Sequence, residues 1–292
     1  MSDDRKEIDS VSGTETTGHE WDGIKELNTP LPRWWLYLFY ATILWAIGYW
    51  VAFPAWPLVS DYTKGLLGYS QRATVAAILD QTHASQAPLN AAIEKASLAE
   101  IKSNPELLNF ALAGGKAAFA NNCSPCHGRG AQGSSGYPNL NDDKWIWGGA
   151  LDQIQQTITY GVRSGNEKAH VSQMPRFGED KLLTPEQIND VAEYVLSLSK
   201  LPHDAAVAER GNAVFHGDGG CLACHGEDGK GNQDVGAPNL TDNIWLYGGT
   251  KAAIKHQIET GHGGVMPAWV DRLDPVTIKS LAVYVHSLGG GK

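Results

Sequence analysis

From Trp34 to Phe53 the chain runs twenty residues without a charged side chain. A helix rising about 1.5 Å per residue covers about 30 Å in that length, the thickness of a bilayer's hydrocarbon core. Tryptophan and tyrosine crowd both ends, as they do at membrane interfaces, and Arg33 and Pro54 bracket the run. A soluble core would have to bury all those tryptophans in one helix. A cleaved leader would not follow so long and acidic a stretch. The pattern predicts one uncleaved membrane anchor, residues 34–57 with its exit loop.

Beyond the anchor the hydrophobic spacing is helical. Val75, Ala76 and Leu79, then Ala91, Ile93, Ala96 and Leu98, predict short helices over 58–106, with Pro88 and Pro105 as breakers. Leu151, Ile154, Gln155 and Ile158 recur at three-and-four spacing, as do Ile254 and Ile258. Thr184-Pro185-Glu186-Gln187 reads as a helix start, and Asp274-Pro275 opens a matching one. Val191, Val195 and Leu198 give the first of these an apolar face. His83 reads as a surface or packing residue.

The second half of the chain repeats itself. Gly115 and Phe119 answer to Gly211 and Phe215, Pro138-Asn139-Leu140 to Pro238-Asn239-Leu240, and Trp145-Ile146-Trp147-Gly148-Gly149 to Trp245-Leu246-Tyr247-Gly248-Gly249. Ala192 to Leu198 matches Ala282 to Leu288. Two copies of about 90 residues follow, each the size of a small domain. The first copy carries an insertion, Arg163 to His170. The organisation expected is a cytoplasmic segment 1–33, the anchor 34–57, a periplasmic linker 58–106, and two domains over 107–200 and 201–292.

All four cysteines fall in two C-x-x-C-H motifs, Cys123-Ser124-Pro125-Cys126-His127 and Cys221-Leu222-Ala223-Cys224-His225. In that pattern two thiols can form thioethers to the vinyl groups of a haem, and the following histidine can bind its iron. Zinc sites and dithiol redox pairs also use C-x-x-C. The histidine in both copies, with no cysteine left over, points to two covalently bound haem c groups.

Apart from Met1, the only methionines are Met174 and Met266, one downstream of each motif and each followed by proline. A thioether is a soft iron ligand, and histidine–methionine ligation raises the reduction potential. A methionine can also be a core filler. The matched context predicts His127 with Met174 on one iron and His225 with Met266 on the other. His170 and His262 are the rival ligands. Trp145, Trp147, Trp245 and Tyr247 read equally well as haem-edge or packing residues.

These two copies resemble class I cytochrome c domains. The fold class implied is mainly α, one N-terminal transmembrane helix followed by two tandem class I cytochrome c domains. The resemblance sets the first and last helices of each copy across one another, Phe119 against Tyr194 and Phe215 against Tyr284. Further upstream, His19-Glu20-Trp21-Asp22-Gly23-Ile24 and Pro30-Leu31-Pro32-Arg33-Trp34-Trp35, then Phe53-Pro54-Ala55-Trp56-Pro57 and Gly65-Leu66-Leu67-Gly68-Tyr69-Ser70, resemble the CcoP/FixP family. That family is the di-haem subunit of cbb3-type cytochrome c oxidases, and the resemblance covers the whole chain.

It implies a subunit with no catalytic site of its own. The subunit would take electrons from a soluble periplasmic cytochrome c and pass them to the oxidase's mono-haem and catalytic subunits, where oxygen is reduced and protons are pumped. Lysine and arginine counts near the two ends of the anchor tie, so orientation rests on haem attachment. That takes place on the periplasmic side of a bacterial inner membrane and leaves the N-terminus cytoplasmic. Trp21 and Ile24 suggest docking onto a partner's cytoplasmic face, and residues 1–17 read as a solvated tail.

The formal net charge is −9, and residues 201–292 carry ten acids against seven bases. An acidic surface can steer a basic cytochrome towards it. No stretch is basic enough for nucleic acid, and no phosphate loop or hydrolytic triad is present. A free-standing membrane-anchored di-haem carrier, the cytochrome subunit of a periplasmic dehydrogenase, or a zinc or disulfide module are the competing readings. The first two share the haems without the anchor flank; the last shares only the cysteines.

Overall fold

The computed structural model describes residues 7–289, whose packing separates into two compact units, one ending at Ser85 and one beginning at Gln86. In the first unit the segment ahead of the apolar run folds as a hairpin. Strand β1 (Thr16–Trp21) runs antiparallel to β2 (Ile24–Leu27), with Trp21 opposite Ile24. The intervening Asp22 and Gly23 both have positive φ, 49° and 85°. A two-residue hairpin turn requires that backbone, and Asp-Gly adopts it cheaply. The solvated tail expected over residues 1–17 lies outside the described residues as far as Lys6. From Glu7 it is corrected: Ile8 bridges to Glu15, Thr16 is buried, and Lys25 pairs with Glu7.

Helix α1 (Arg33–Ala52) is the apolar run. None of its residues is buried, so it is no core helix of this chain, and it is long and apolar enough to cross a membrane. The Leu66 and Leu67 amides donate to the Val51 and Ala52 carbonyls at 2.9 and 3.0 Å. The Gly65–Gly68 loop thereby satisfies acceptors that a helix end leaves orphaned. Helix α2 (Gln71–Lys95) continues through Pro88, which corrects the expectation of a break there. A proline inside a helix forfeits one backbone hydrogen bond, and this exposed helix can give the freed Ala84 carbonyl to water.

In the second unit, α3 (Leu98–Ser103) starts on a capping box of Ser97 and Glu100, and α4 (Pro105–Asn122) on Asn104 with Pro105 in the first turn. The first repeat continues with α5 (Ser124–His127), α6 (Leu151–Tyr160) and α7 (Pro185–Leu198). The second has α8 (Ala205–His216), α9 (Leu222–His225), α10 (Lys251–Thr260) and α11 (Pro275–Leu288). Thr184 and Asp274 cap α7 and α11, accepting from the amides of Gln187 and Thr277. Lys279 on α11 donates to the carbonyls of Ile93, Glu94 and Ala96 at 3.1, 2.8 and 2.7 Å, which closes the end of α2.

The long helices cross between repeats and not within them. Helix α4 packs on α11, and α8 on α7. Phe119 meets Tyr284 with ring centroids 5.6 Å apart, and Tyr194 meets Phe215 at 5.2 Å. The pairs Phe119–Tyr194 and Phe215–Tyr284 implied by the resemblance are thereby corrected. At each crossing a glycine lets the backbones close: a Cβ on Gly115 would fall 2.3 Å from the Ser280 carbonyl oxygen, and one on Gly211 1.9 Å from that of Asp190.

A small hydrophobic cluster gathers Ile93, Ile101, Ala111 and Val283, and two larger cores lie at the crossings. One joins Phe119, Ile154 and Ile158 to Ile278, Leu281 and Val285; the other joins Phe215, Ile254 and Ile258 to Ile188, Val191 and Val195. Each repeat supplies the front of one core and the back of the other. Residue 200 divides the repeats in sequence, but the packing does not divide there.

Candidate functional site

Each C-x-x-C-H motif is one helical turn hung on the end of a crossing helix. Cys123 caps α4 through its amide on the Phe119 carbonyl at 2.9 Å, and the His127 amide returns to the Cys123 carbonyl at 2.9 Å. In the second copy residues 217–220 intervene, yet the Cys221 amide still reaches the Phe215 carbonyl at 3.1 Å and the His225 amide the Cys221 carbonyl at 2.9 Å. Residues three apart on a helical turn lie on one face, which sets the two sulfurs of each motif side by side. Gly128 and Gly226, at φ 82° and 77°, end the turns.

The two imidazoles are held alike. Nδ1 of His127 lies 3.1 Å from the Pro138 carbonyl oxygen, and Nδ1 of His225 lies 3.1 Å from that of Pro238. Burial pushes both pKa values down, the carbonyl opposing it, so each ring is neutral near pH 7. A proton on Nδ1 satisfies the carbonyl and leaves the Nε2 lone pair free, the form an iron ligand takes. The repeated Pro-Asn-Leu thus has a role that its sequence alone did not disclose. Burial also pushes the Cys123 and Cys221 thiols up to about 11, far from the depressed values of redox-active thiols.

The methionines do not sit with the motifs that precede them. Met174 packs against the core cluster of Phe215, on which Cys221, Leu222, Leu240 and Trp245 also pack. Met266 packs against the core cluster of Phe119, as do Cys123, Leu140 and Trp145. The pairing expected along the chain is Met174 with His127 and Met266 with His225; the core clusters group Met174 with Cys221 and Met266 with Cys123.

The exchange occurs just after α6 and α10. Val162 and Met266 share reciprocal backbone hydrogen bonds at 3.0 and 2.9 Å. The Phe177 amide reaches the Ile258 carbonyl at 3.1 Å, and the Trp269 amide the Thr159 carbonyl at 3.1 Å. Gly161 and Gly261, at φ 75° and 55°, stand where the other copy's methionine backbone passes.

Both motifs and both methionines line one continuous cavity of about 930 Å³, as do Trp145, Trp147, Trp245 and Tyr247. Cofactor sites occupy about 300–1,000 Å³ and are lined mainly by apolar and aromatic groups. Residues of the two copies meet in its lining: the Gly136 amide donates to the Leu246 carbonyl at 2.8 Å, and the Trp147 ring lies against Gly236. The Tyr247 hydroxyl accepts from the Gly264 amide at 2.9 Å.

His170, one rival ligand, stacks on Trp147 with centroids 4.2 Å apart and bonds the Thr157 hydroxyl at 3.1 Å. His262, the other, lines the cavity edge-on to Tyr247. Among the described residues no three His, Cys, Asp or Glu side chains converge to cage a free metal ion. Paired sulfurs, neutral imidazoles, soft thioethers and an apolar chamber are the donor set that fits haem c.

Comparison with known proteins agrees with this chemistry. Residues 13–60 match the family described as the N-terminal domain of cytochrome oxidase-cbb3, FixP. Residues 110–195 and 206–285 match cytochrome c oxidase, cbb3-type, subunit III. The chain is 58% identical over 293 residues to the cbb3-type cytochrome c oxidase subunit FixP of Bradyrhizobium diazoefficiens, covering 99% of each. It is 56% identical over 286 residues to FixP of Azorhizobium caulinodans, covering 98% of this chain and 96% of that one. Against the subunit CcoP of Cereibacter sphaeroides it is 50% identical over 278 residues, 95% of each. From hairpin and anchor to the last crossing helix, the chain belongs to the CcoP/FixP family of cbb3-type cytochrome c oxidase subunits.

Proposed function

We propose that this chain is the membrane-anchored di-haem relay of a cbb3-type oxidase, with its axial ligands exchanged between repeats. Cys123 and Cys126 would anchor one haem, held by His127 and Met266; Cys221 and Cys224 would anchor the other, held by His225 and Met174. The observation carrying this reading is that each methionine packs on the same core cluster as the first cysteine of the opposite motif, and that all four line one cavity. Bound haem c supplies reversible one-electron chemistry at iron.

The chain's own residues fix the rest. The Pro138 and Pro238 carbonyls hold each imidazole in its ligating tautomer. With a histidine and a methionine holding each haem, this chain would carry electrons only, and oxygen reduction would belong to the catalytic subunit. A single cavity lined by both motifs would hold both redox groups, which suits relay between them. The aromatic groups Trp147 and Tyr247 cross between the halves and exclude water from its middle.

Electrons would come from a soluble periplasmic cytochrome c, steered by the acidic C-terminal region, and leave for the mono-haem and catalytic subunits. Helix α1 would cross the inner membrane, with the hairpin cytoplasmic and the haem region periplasmic. The test uses the purified oxidase. The C221A/C224A chain should keep half of its covalent haem stain on a denaturing gel and lose most oxygen consumption driven by reduced cytochrome c. A full rate in that variant would overturn the relay.

A further inference from the structure

The insertion that only the first repeat carries makes a contact the second repeat cannot. After Gly261 the second copy reaches Met266 in five residues, whereas the first takes thirteen from Gly161 to Met174. The added chain is a closed loop: the Arg163 amide donates to the His170 carbonyl at 2.6 Å, and the His170 amide to the Gly161 carbonyl at 3.2 Å. Ser164 bonds the Tyr160 carbonyl at 2.6 Å and pins its start. Arg163 itself has φ 50°, a conformation that L residues adopt rarely and at a cost.

That backbone aims the guanidinium between the two methionine loops. Nε donates to the Gly264 carbonyl at 2.7 Å, and Nη1 donates to the Ser172 carbonyl at 2.7 Å. Ser172 and Gly264 each lie two residues before a methionine, Met174 and Met266. One planar, rigid fork therefore spans both loops, half-buried beside the shared cavity. Charge-assisted hydrogen bonds of this kind are stronger than neutral ones, and a lysine cannot reproduce the fork. Gln173 adds a second tie, its Nε2 donating to the Gly261 carbonyl at 3.0 Å.

We propose that Arg163 is a positioning residue for both axial methionines, clamping the two loops so that each thioether stays on its iron and the two ligations rise or fall together. This rests on the reading that Met174 and Met266 bind iron. A structural role confined to the insertion would affect the first repeat's loop alone, and a purely electrostatic role would survive in Arg163→Lys.

The experiment uses the full holo-chain and follows the weak near-infrared band of methionine-bound ferric haem as pH rises. In Arg163→Gln and Arg163→Lys the apparent pKa for losing the band should fall at both haems, by about tenfold in the hold on each methionine, the order of one charge-assisted hydrogen bond per loop. Gly263→Ala gives a smaller shift in the same direction without removing the arginine, because its Cβ would stand 3.1 Å from Nε and the guanidinium must give by a few tenths of an ångström. Haem stain and far-UV circular dichroism should be unchanged in Gly263→Ala. Met174→His and Met266→His, run alongside, should each remove half of the band. A band they leave whole overturns the ligation reading. A band halved by them, yet unmoved at either haem by R163Q and G263A, or kept at its wild-type pKa in R163K, overturns the clamp alone.

Discussion

The carbonyl oxygen of Met266 stands 2.3 Å from the place where Gly161 would carry a Cβ, and the Met174 carbonyl oxygen stands 2.4 Å from the same place on Gly261. Both glycines have positive φ, so an added side chain is strained by the backbone as well as by the contact. Holding a side-chain-bearing residue in such a sparsely populated conformation costs about 1–3 kcal/mol. G161A should therefore loosen the loop of Met266 and lower the potential of the haem on Cys123 and Cys126, while G261A should lower the other. Redox titration of the two variants checks this. The two potentials responding in the opposite order would return the methionines to their own repeats.

The aromatic crossings give a test that needs no haem spectroscopy. F119A and Y284A should be coupled, each destabilising by about 3–5 kcal/mol as a large core truncation, with an interaction of about 0.5–1.5 kcal/mol in the double mutant. F119A and Y194A should add within about 0.5 kcal/mol, because those rings belong to different cores. Denaturant unfolding of the single and double variants measures both cycles.

A buried carboxylate makes the second core sensitive to acid. Glu193 on α7 accepts from Lys251 of α10 at 2.6 Å and from the Asp204 amide at 2.9 Å. The Lys251 hydrogen bond, aided by the amide and opposed by burial, holds its pKa below the ordinary carboxylate range. A folded pKa lower than the unfolded one contributes stability that is fully present above the unfolded value and is lost as pH falls through the folded value. Wild type should thus lose stability below the ordinary carboxylate range, and E193Q should begin less stable at neutral pH with a shallower acid limb. Unfolding midpoints across pH, followed by circular dichroism, compare the two.

Trp21 and Ile24 face each other at the hairpin tip and are 67% and 73% exposed. Two apolar side chains left in water this near the anchor fit a docking contact with another oxidase subunit. W21A/I24A keeps the Asp22-Gly23 turn and should leave haem attachment and membrane retention intact while copurification with the catalytic subunit falls several-fold. Full copurification would make the tip a solvated turn.

The chemistry of this chain was legible in its sequence because it is local. A C-x-x-C-H turn and capping residues such as Thr184 and Asp274 need only their neighbours, whereas the Pro138 and Pro238 carbonyls, 11 and 13 residues beyond their histidines, were found only in the fold. The exchange was not legible, and the repeat is the reason. Gly115 and Gly211, Phe119 and Phe215, and Tyr194 and Tyr284 are interchangeable pairs, so α4 is as complementary to α7 as to α11. The contact that the repeat does not duplicate is the Arg163 loop, which joins Gly264 to Ser172. Asp22-Gly23 between short polar runs was a hairpin signal present in the sequence, masked by the acidic composition around it. Pro88 reads as a helix breaker in general and is tolerated here because its helix is exposed.

The crossed ligation is tested most directly by proton NMR of the ferrous full-length chain in detergent. Each bound methionine gives an upfield ε-methyl resonance, assigned by its loss in M174H or M266H. The resonance lost in M266H should show through-space contacts to the thioether protons of the haem on Cys123 and Cys126, and the one lost in M174H to those of the haem on Cys221 and Cys224. Contacts joining Met174 to the first haem and Met266 to the second would contradict the exchange and restore two self-contained domains.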